Sequence, residues 1–181
     1  MKAPRIVSGL VVLAMTLGWG ALPATIESTD ARLSLTDGRL LRNGLPLTGV
    51  VVERAANRHI VASTAYREGL RDGESLRFDH DGTVLERRTW KAGKREGTHA
   101  AWYPRSGRPR FCATFHDDLS EGAAYEWADR SGCPIVGRWQ YVHGVEVGMQ
   151  RVWRADGVVR ASYLALGNAR YGLRGKKECS R

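Results

Sequence analysis

Four copies of one spaced pattern dominate this sequence and decide what the chain can become. An aromatic residue is followed by Gly at +3, by Gly at +7 and by a second aromatic at +12. The sets are Tyr66, Gly69, Gly73 and Phe78; Trp90, Gly93, Gly97 and Trp102; Phe115, Asp118, Gly122 and Trp127; Tyr141, Gly144, Gly148 and Trp153. Another glycine follows each second aromatic, at Gly82, Gly107, Gly132 and Gly157. Successive copies begin 24, 25 and 26 residues apart, and Tyr163 follows after 22. Self-similarity at such a period marks a repeat architecture, in which one unit is a supersecondary element that cannot bury its apolar face alone.

Each unit reads as a β-hairpin. Glycine at +3 and +7 lets the backbone take positive φ in a turn, and Gly82 or Gly157 after Asp closes the next one. Between turns the side chains alternate: Leu76 and Phe78 share a face, as do Ala100 and Trp102, Tyr125 and Trp127, and Arg151 and Trp153. On the return strand Val84, Glu86, Arg88 and Trp90 point one way, and Leu85, Arg87 and Thr89 the other. The spacing predicts strands of about five to seven residues. So many glycines leave no apolar stripe of helical period. The expected fold class is all-β, an array of antiparallel β-hairpins.

A lone hairpin is marginal in water, so neighbouring units must stack. Stacking would set Phe78, Trp102, Trp127 and Trp153 in one row and Tyr66, Trp90, Phe115, Tyr141 and Tyr163 in another. Each ring buries roughly 150–250 Å², so these nine side chains are expected to dominate the core. The array frays at both ends. Leu41, Gly44 and Gly49, followed by Val50, Val51 and Val52, form a degenerate first unit, and Gly167 belongs to a truncated last one. The organisation is then residues 1–24 as a signal peptide, 25–36 as a linker, 37–65 as the degenerate unit, 66–166 as four repeats, and 167–181 as the truncated unit and a basic tail.

The N-terminal assignment rests on Lys2 and Arg5, an apolar stretch from Ile6 to Leu22, and small residues from Ala21 to Ala24. Cleavage is expected after Ala24, with Ala21 as the alternative. An uncleaved anchor is the competing reading, but the run is at the lower edge of a bilayer span and carries Gly9, Gly18, Gly20 and Pro23. The expected location is periplasmic or secreted. Loss of Lys2 and Arg5 lowers the net charge from +9 to +7. Export would also place Cys112, Cys133 and Cys179 where a disulfide can form. A Cys112–Cys133 bridge would have to reach across an intervening strand.

The four sets resemble MORN repeats, specifically the bacterial MORN-repeat-variant family often labelled as a YwqK-type antitoxin. Asp37, Gly38, Asn43, Gly44, Thr48, Gly49, Val50 and Val51 resemble the usual first unit of that family. The resemblance spans roughly residues 37–175. It implies an elongated, curved, single-layered hairpin array used as a binding surface, a MORN-type solenoid. Departures are Asp118 in place of Gly, Arg151 in an apolar slot, and extra residues before Gly107 and Gly132.

Catalytic candidates are few. His59, His80, His99, His116 and His143 are not repeat-equivalent, and His116, Asp117 and Asp118 fall at a turn, where Asp tolerates the left-handed conformation. The chain carries no H-E-x-x-H, nucleophile elbow, P-loop or C-x-x-C motif. No catalytic, cofactor-binding or metal-binding residues are therefore expected. Arg170, Arg174, Lys176 and Lys177 in the tail are candidates for contact with an anionic surface. In the repeats, Glu68, Glu74, Glu86 and Glu96 are placed as cross-strand partners for the basic residues. Export argues against a nucleic-acid partner. The expected function is a non-enzymatic scaffold that binds another protein of the bacterial cell envelope. The alternatives are a module for anionic lipid surfaces and an antitoxin-like neutraliser of a partner protein.

Overall fold

A computed structural model describes residues 24–173. Among them the chain is all-β, rich in antiparallel hairpins and without helix. The strands are β1 (Thr25–Glu27), β2 (Leu33–Thr36), β3 (Arg39–Arg42), β4 (Leu45–Pro46), β5 (Gly49–Arg54), β6 (Ile60–Arg67), β7 (Leu70–Phe78), β8 (Val84–Lys91) and β9 (Lys94–Arg95). They continue with β10 (Gly97–Trp102), β11 (Pro109–His116), β12 (Leu119–Trp127), β13 (Ile135–Val142), β14 (Val145–Glu146), β15 (Gly148–Trp153), β16 (Val159–Leu166) and β17 (Ala169–Leu173). From β5 onward each long strand pairs antiparallel with the next in a 14-stranded sheet, while β9 and β14 pair back onto β8 and β13. The sheet is mixed, because β1 joins β5 in parallel. β2, β3 and β4 form a separate three-stranded meander.

Residues 25–36 are therefore not a linker. They contain β1, whose Ile26 is buried, and β2, which pairs with β3. The repeat strands are also longer than expected, mostly eight or nine residues. Only two residues separate one strand from the next at the +3 glycines, so the flanking residues can join the ladder. φ is positive at both central residues of Glu68/Gly69, Ala92/Gly93, Asp117/Asp118 and His143/Gly144, the conformation of a type I′ turn.

The +7 glycines do something different from the turn role expected of them. They mark a two-residue excess inside the ladder. Tyr66 pairs with Arg71 and Thr64 with Ser75, so a two-residue step on β6 matches a four-residue step on β7. Thr114 with Glu121 and Cys112 with Tyr125 repeat this on β11 and β12. The same excess separates Trp90–Arg95 from Arg87–Ala100, and Tyr141–Glu146 from Arg138–Arg151. Such bulges add local twist. Each +7 glycine lies opposite the aromatic that opens the next unit: Gly73 opposite Trp90, Gly97 opposite Phe115 and Gly122 opposite Tyr141. Gly148 lies opposite Ala165, so the last unit opens at Ala165 and not at Tyr163.

This register accounts for the uneven period. The connections after the second aromatics are residues 79–83, 103–108, 128–134 and 154–158, which are five, six, seven and five residues long. Counted to Ala165 the steps are 24, 25, 26 and 24, and all the variation falls in those connections.

Residues directly opposite in the ladder share a face. The second aromatics lie on what we term the front, with Leu76 and Ala100. The opening aromatics lie on the back, with the +7 glycines. A register shift next to Phe78 puts Val84 opposite that ring, so Val84 is on the front while Glu86, Arg88 and Trp90 are on the back. Val84 does not share their face as simple alternation predicts. The front core cluster is Leu76, Phe78, Val84 and Trp102, and the back cluster is Ala113, Phe115 and Ala124. Of the nine repeat aromatics only Phe78, Trp102 and Phe115 are buried. A single sheet has solvent on both sides, so small residues such as Ala101, Ala113, Ala124 and Ala165 carry much of the rest of the core.

Candidate binding face

The turns on the glycine margin are tied unit to unit. The N–H of the second turn residue reaches back one repeat, from Gly93 to the carbonyl of Arg71, from Asp118 to Arg95 and from Gly144 to Ser120. The N–H of the first turn residue is met by a side chain just before the preceding bulge glycine. Ala92 donates to Asp72 at 3.0 Å, Asp117 to Glu96 at 3.2 Å and His143 to Glu121 at 2.8 Å. These acidic residues are a structural repeat position that the aromatic and glycine pattern alone did not reveal. An Asp or Glu directly before Gly73, Gly97 and Gly122 is its sequence trace. Asp118, at φ 70°, accepts from the Arg95 backbone at 2.9 Å, and this bond leads the interactions that hold its carboxyl below the usual range.

On the back, cations and rings interleave. The Arg71 guanidinium sits 4.9 Å from the centre of the Trp90 ring and Arg95 4.3 Å from that of Phe115, with His99 between the two rings. His99 is buried, and its Nε2–H donates to the Thr89 carbonyl at 2.9 Å. Burial lowers its pKa. Gln150 holds the equivalent place in a later unit. It is fully buried, accepts from Gln140 N–H and donates to the carbonyls of Gln140 and Val147. Gln150 meets the Gln140 N–H and the Val147 carbonyl at the bulge, whereas His99 adds a second donor to the Thr89 carbonyl, which also accepts from the Glu96 N–H. His99 is thus a structural element of the sheet.

Other sequence candidates also settle into structural pairings. His116 meets Glu96 at 3.1 Å, and no group of three His, Cys, Asp or Glu side chains suited to a metal occurs among the described residues. Cys112 and Cys133 are free thiols, with β12 between Cys112 on β11 and the connection that carries Cys133. Burial pushes the Cys112 thiol up, away from a reactive thiolate. Arg170 pairs with Glu146 at 2.8 Å and lies over the Tyr163 ring. Arg174, Lys176, Lys177 and Cys179 lie outside the described residues, as do residues 1–23. A cleft of about 490 Å³ beside Ala165 is walled by Tyr141, Glu146, Asn168 and Arg170, where earlier units carry a ring.

The front changes character along its length. Val84, opposite Phe78, is 2% exposed, and Pro109, opposite Trp102, is also buried. Ile135, opposite Trp127, is 42% exposed and Val159, opposite Trp153, is 51%. One line across the front runs through Leu76, Arg87, Ala100, Cys112, Tyr125, Arg138 and Arg151. Arg87 donates from Nε to Glu74 at 2.6 Å. Arg138, its repeat equivalent, has Ala123 where that glutamate would stand, and faces Arg151 directly across the ladder. The later half of the front is therefore a strip of exposed aliphatic and partly exposed aromatic side chains around two adjacent arginines. Arg151 stood out in the sequence as a departure. Arg138, Ile135 and Val159 did not, because their meaning depends on comparing equivalent positions across units.

No family model matches the chain, and neither the curated proteins nor the solved structures gave a match.

Proposed function

We propose that this chain is a non-enzymatic, exported scaffold of the bacterial envelope, a curved MORN-type array that binds another protein through the open half of its front. One observation carries the reading: apolar positions closed over in the early units stay open in the later ones, at Ile135 and Val159. Exposed apolar area beside Trp and Arg is the usual composition of a protein-binding surface. The lipid alternative has less support. Arg170, the innermost of its candidate residues, is already engaged by Glu146 and Tyr163. The test is photo-crosslinking in the native cell from a benzoylphenylalanine placed at Ile135, with one at Arg77 on the back as control. Protein adducts from Ile135 alone are the expected result. Equal yields from both positions, or none from Ile135, would remove the proposal.

A further inference from the structure

The repeat itself indicates what is missing from the open half. At Arg87 the array supplies a carboxylate from the preceding strand, that of Glu74. At the equivalent Arg138 it supplies the methyl group of Ala123. The position opposite Arg87 is the small Ala100, whereas the one opposite Arg138 is another arginine, Arg151. Like charges directly opposite in a ladder are unfavourable. Both side chains are exposed, and neither has an ion-pair partner among the described residues. We infer that Arg138 and Arg151 together bind carboxylates of an acidic segment of the partner protein, its apolar side chains lying along Ile135, Trp127 and Trp153. This rests on the scaffold reading and specifies its ligand. Two guanidinium forks suit carboxylates in particular, and the flanking apolar strip suits polypeptide side chains better than a bare headgroup.

The test uses the full chain and a labelled eight-residue peptide alternating Glu with Val, beside its Gln and Val counterpart. Fluorescence polarisation should show the Glu peptide bound at least about tenfold more tightly. The R138Q/R151Q double variant should lose that preference. A123E should weaken binding by about tenfold, because it returns an internal carboxylate to Arg138. R77Q, on the opposite face, should bind as the wild type does. The double variant should melt no lower than wild type, since a like-charge pair is removed. Failure of the Glu peptide to bind, equal binding of both peptides, or a lowered melting temperature in R138Q/R151Q would each overturn the inference. So would binding to phosphatidylglycerol vesicles but not to peptide, lost in the same variant, which would assign the arginines to lipid. Crosslinks from Ile135 that persist in R138Q/R151Q would remove this inference and leave the scaffold reading standing.

Discussion

The front of the sheet holds the same design twice, closed in its early units and open in its later ones. In the closed half, Leu76, Phe78, Val84 and Trp102 bury one another, and the arginine in their midst is paired with Glu74. In the open half the backbone pairing is the same, down to the register shift beside each second aromatic. The side chains are not. Leu76 is matched by Arg151 and Glu74 by Ala123, and Val159, the counterpart of the buried Val84, is left exposed. Register comes from turns and bulges, which both halves share. Burial comes from a few side chains per unit, so a repeat can keep its frame while one stretch of its surface is given over to other uses.

The largest expected effect breaks the equivalence directly. Trp102→Ala should cost about 3–5 kcal/mol, as for a buried large aromatic. Trp127→Ala, at the same repeat position but only half-buried, should cost about 1–2 kcal/mol. Thermal and denaturant melts compare the two, and equal losses would mean the halves are energetically alike. Next, Val84→Ala should cost about 2 kcal/mol through lost burial, while Val159→Ala should stay within about 0.5 kcal/mol of wild type.

A smaller effect tests what the halves share. Asp72→Ala leaves the Ala92 N–H without its acceptor and should cost about 1 kcal/mol. The last contrast concerns pH. Burial holds the folded-state pKa of His99 below its ordinary 6.5, so on acidification the unfolded chain takes up a proton that the folded chain resists. The stability linked to this group is therefore present above about pH 6.5 and is lost as pH falls from there toward the lowered folded value. His99→Gln, which copies the solution found at Gln150, should flatten that part of the stability–pH curve. An unchanged slope would place the acid sensitivity elsewhere.

Much of the fold was legible because glycine and aromatic residues recur for reasons of backbone geometry. The turns at Gly69, Gly93 and Gly144 follow from spacing alone, and Asp118 adopts the same conformation. The bulges were not legible. A glycine four residues after a turn reads as another turn unless the partner strand is known, and only the pairing counts show the two-residue excess. The same gap in knowledge hid the face of Val84 and the true opening residue of the last unit, since the ring at Tyr163 is conspicuous and the methyl at Ala165 is not. The candidate binding face was the least legible. Aliphatic residues in strands usually mean core, and whether Ile135 or Val159 is covered depends on the side chains around it.

One margin of the sheet is clamped by backbone hydrogen bonds between turns of neighbouring units, while the opposite margin, tied through side chains such as Arg130 to the Ala155 carbonyl, absorbs five, six or seven residues without disturbing the ladder. That asymmetry marks the connections, residues 128–134 above all, as ports for engineering. An affinity tag, a fluorophore-bearing loop or a small guest domain spliced there should leave the pleated frame intact, whereas the same insert between Ala92 and Gly93 would sever the seam that joins consecutive units.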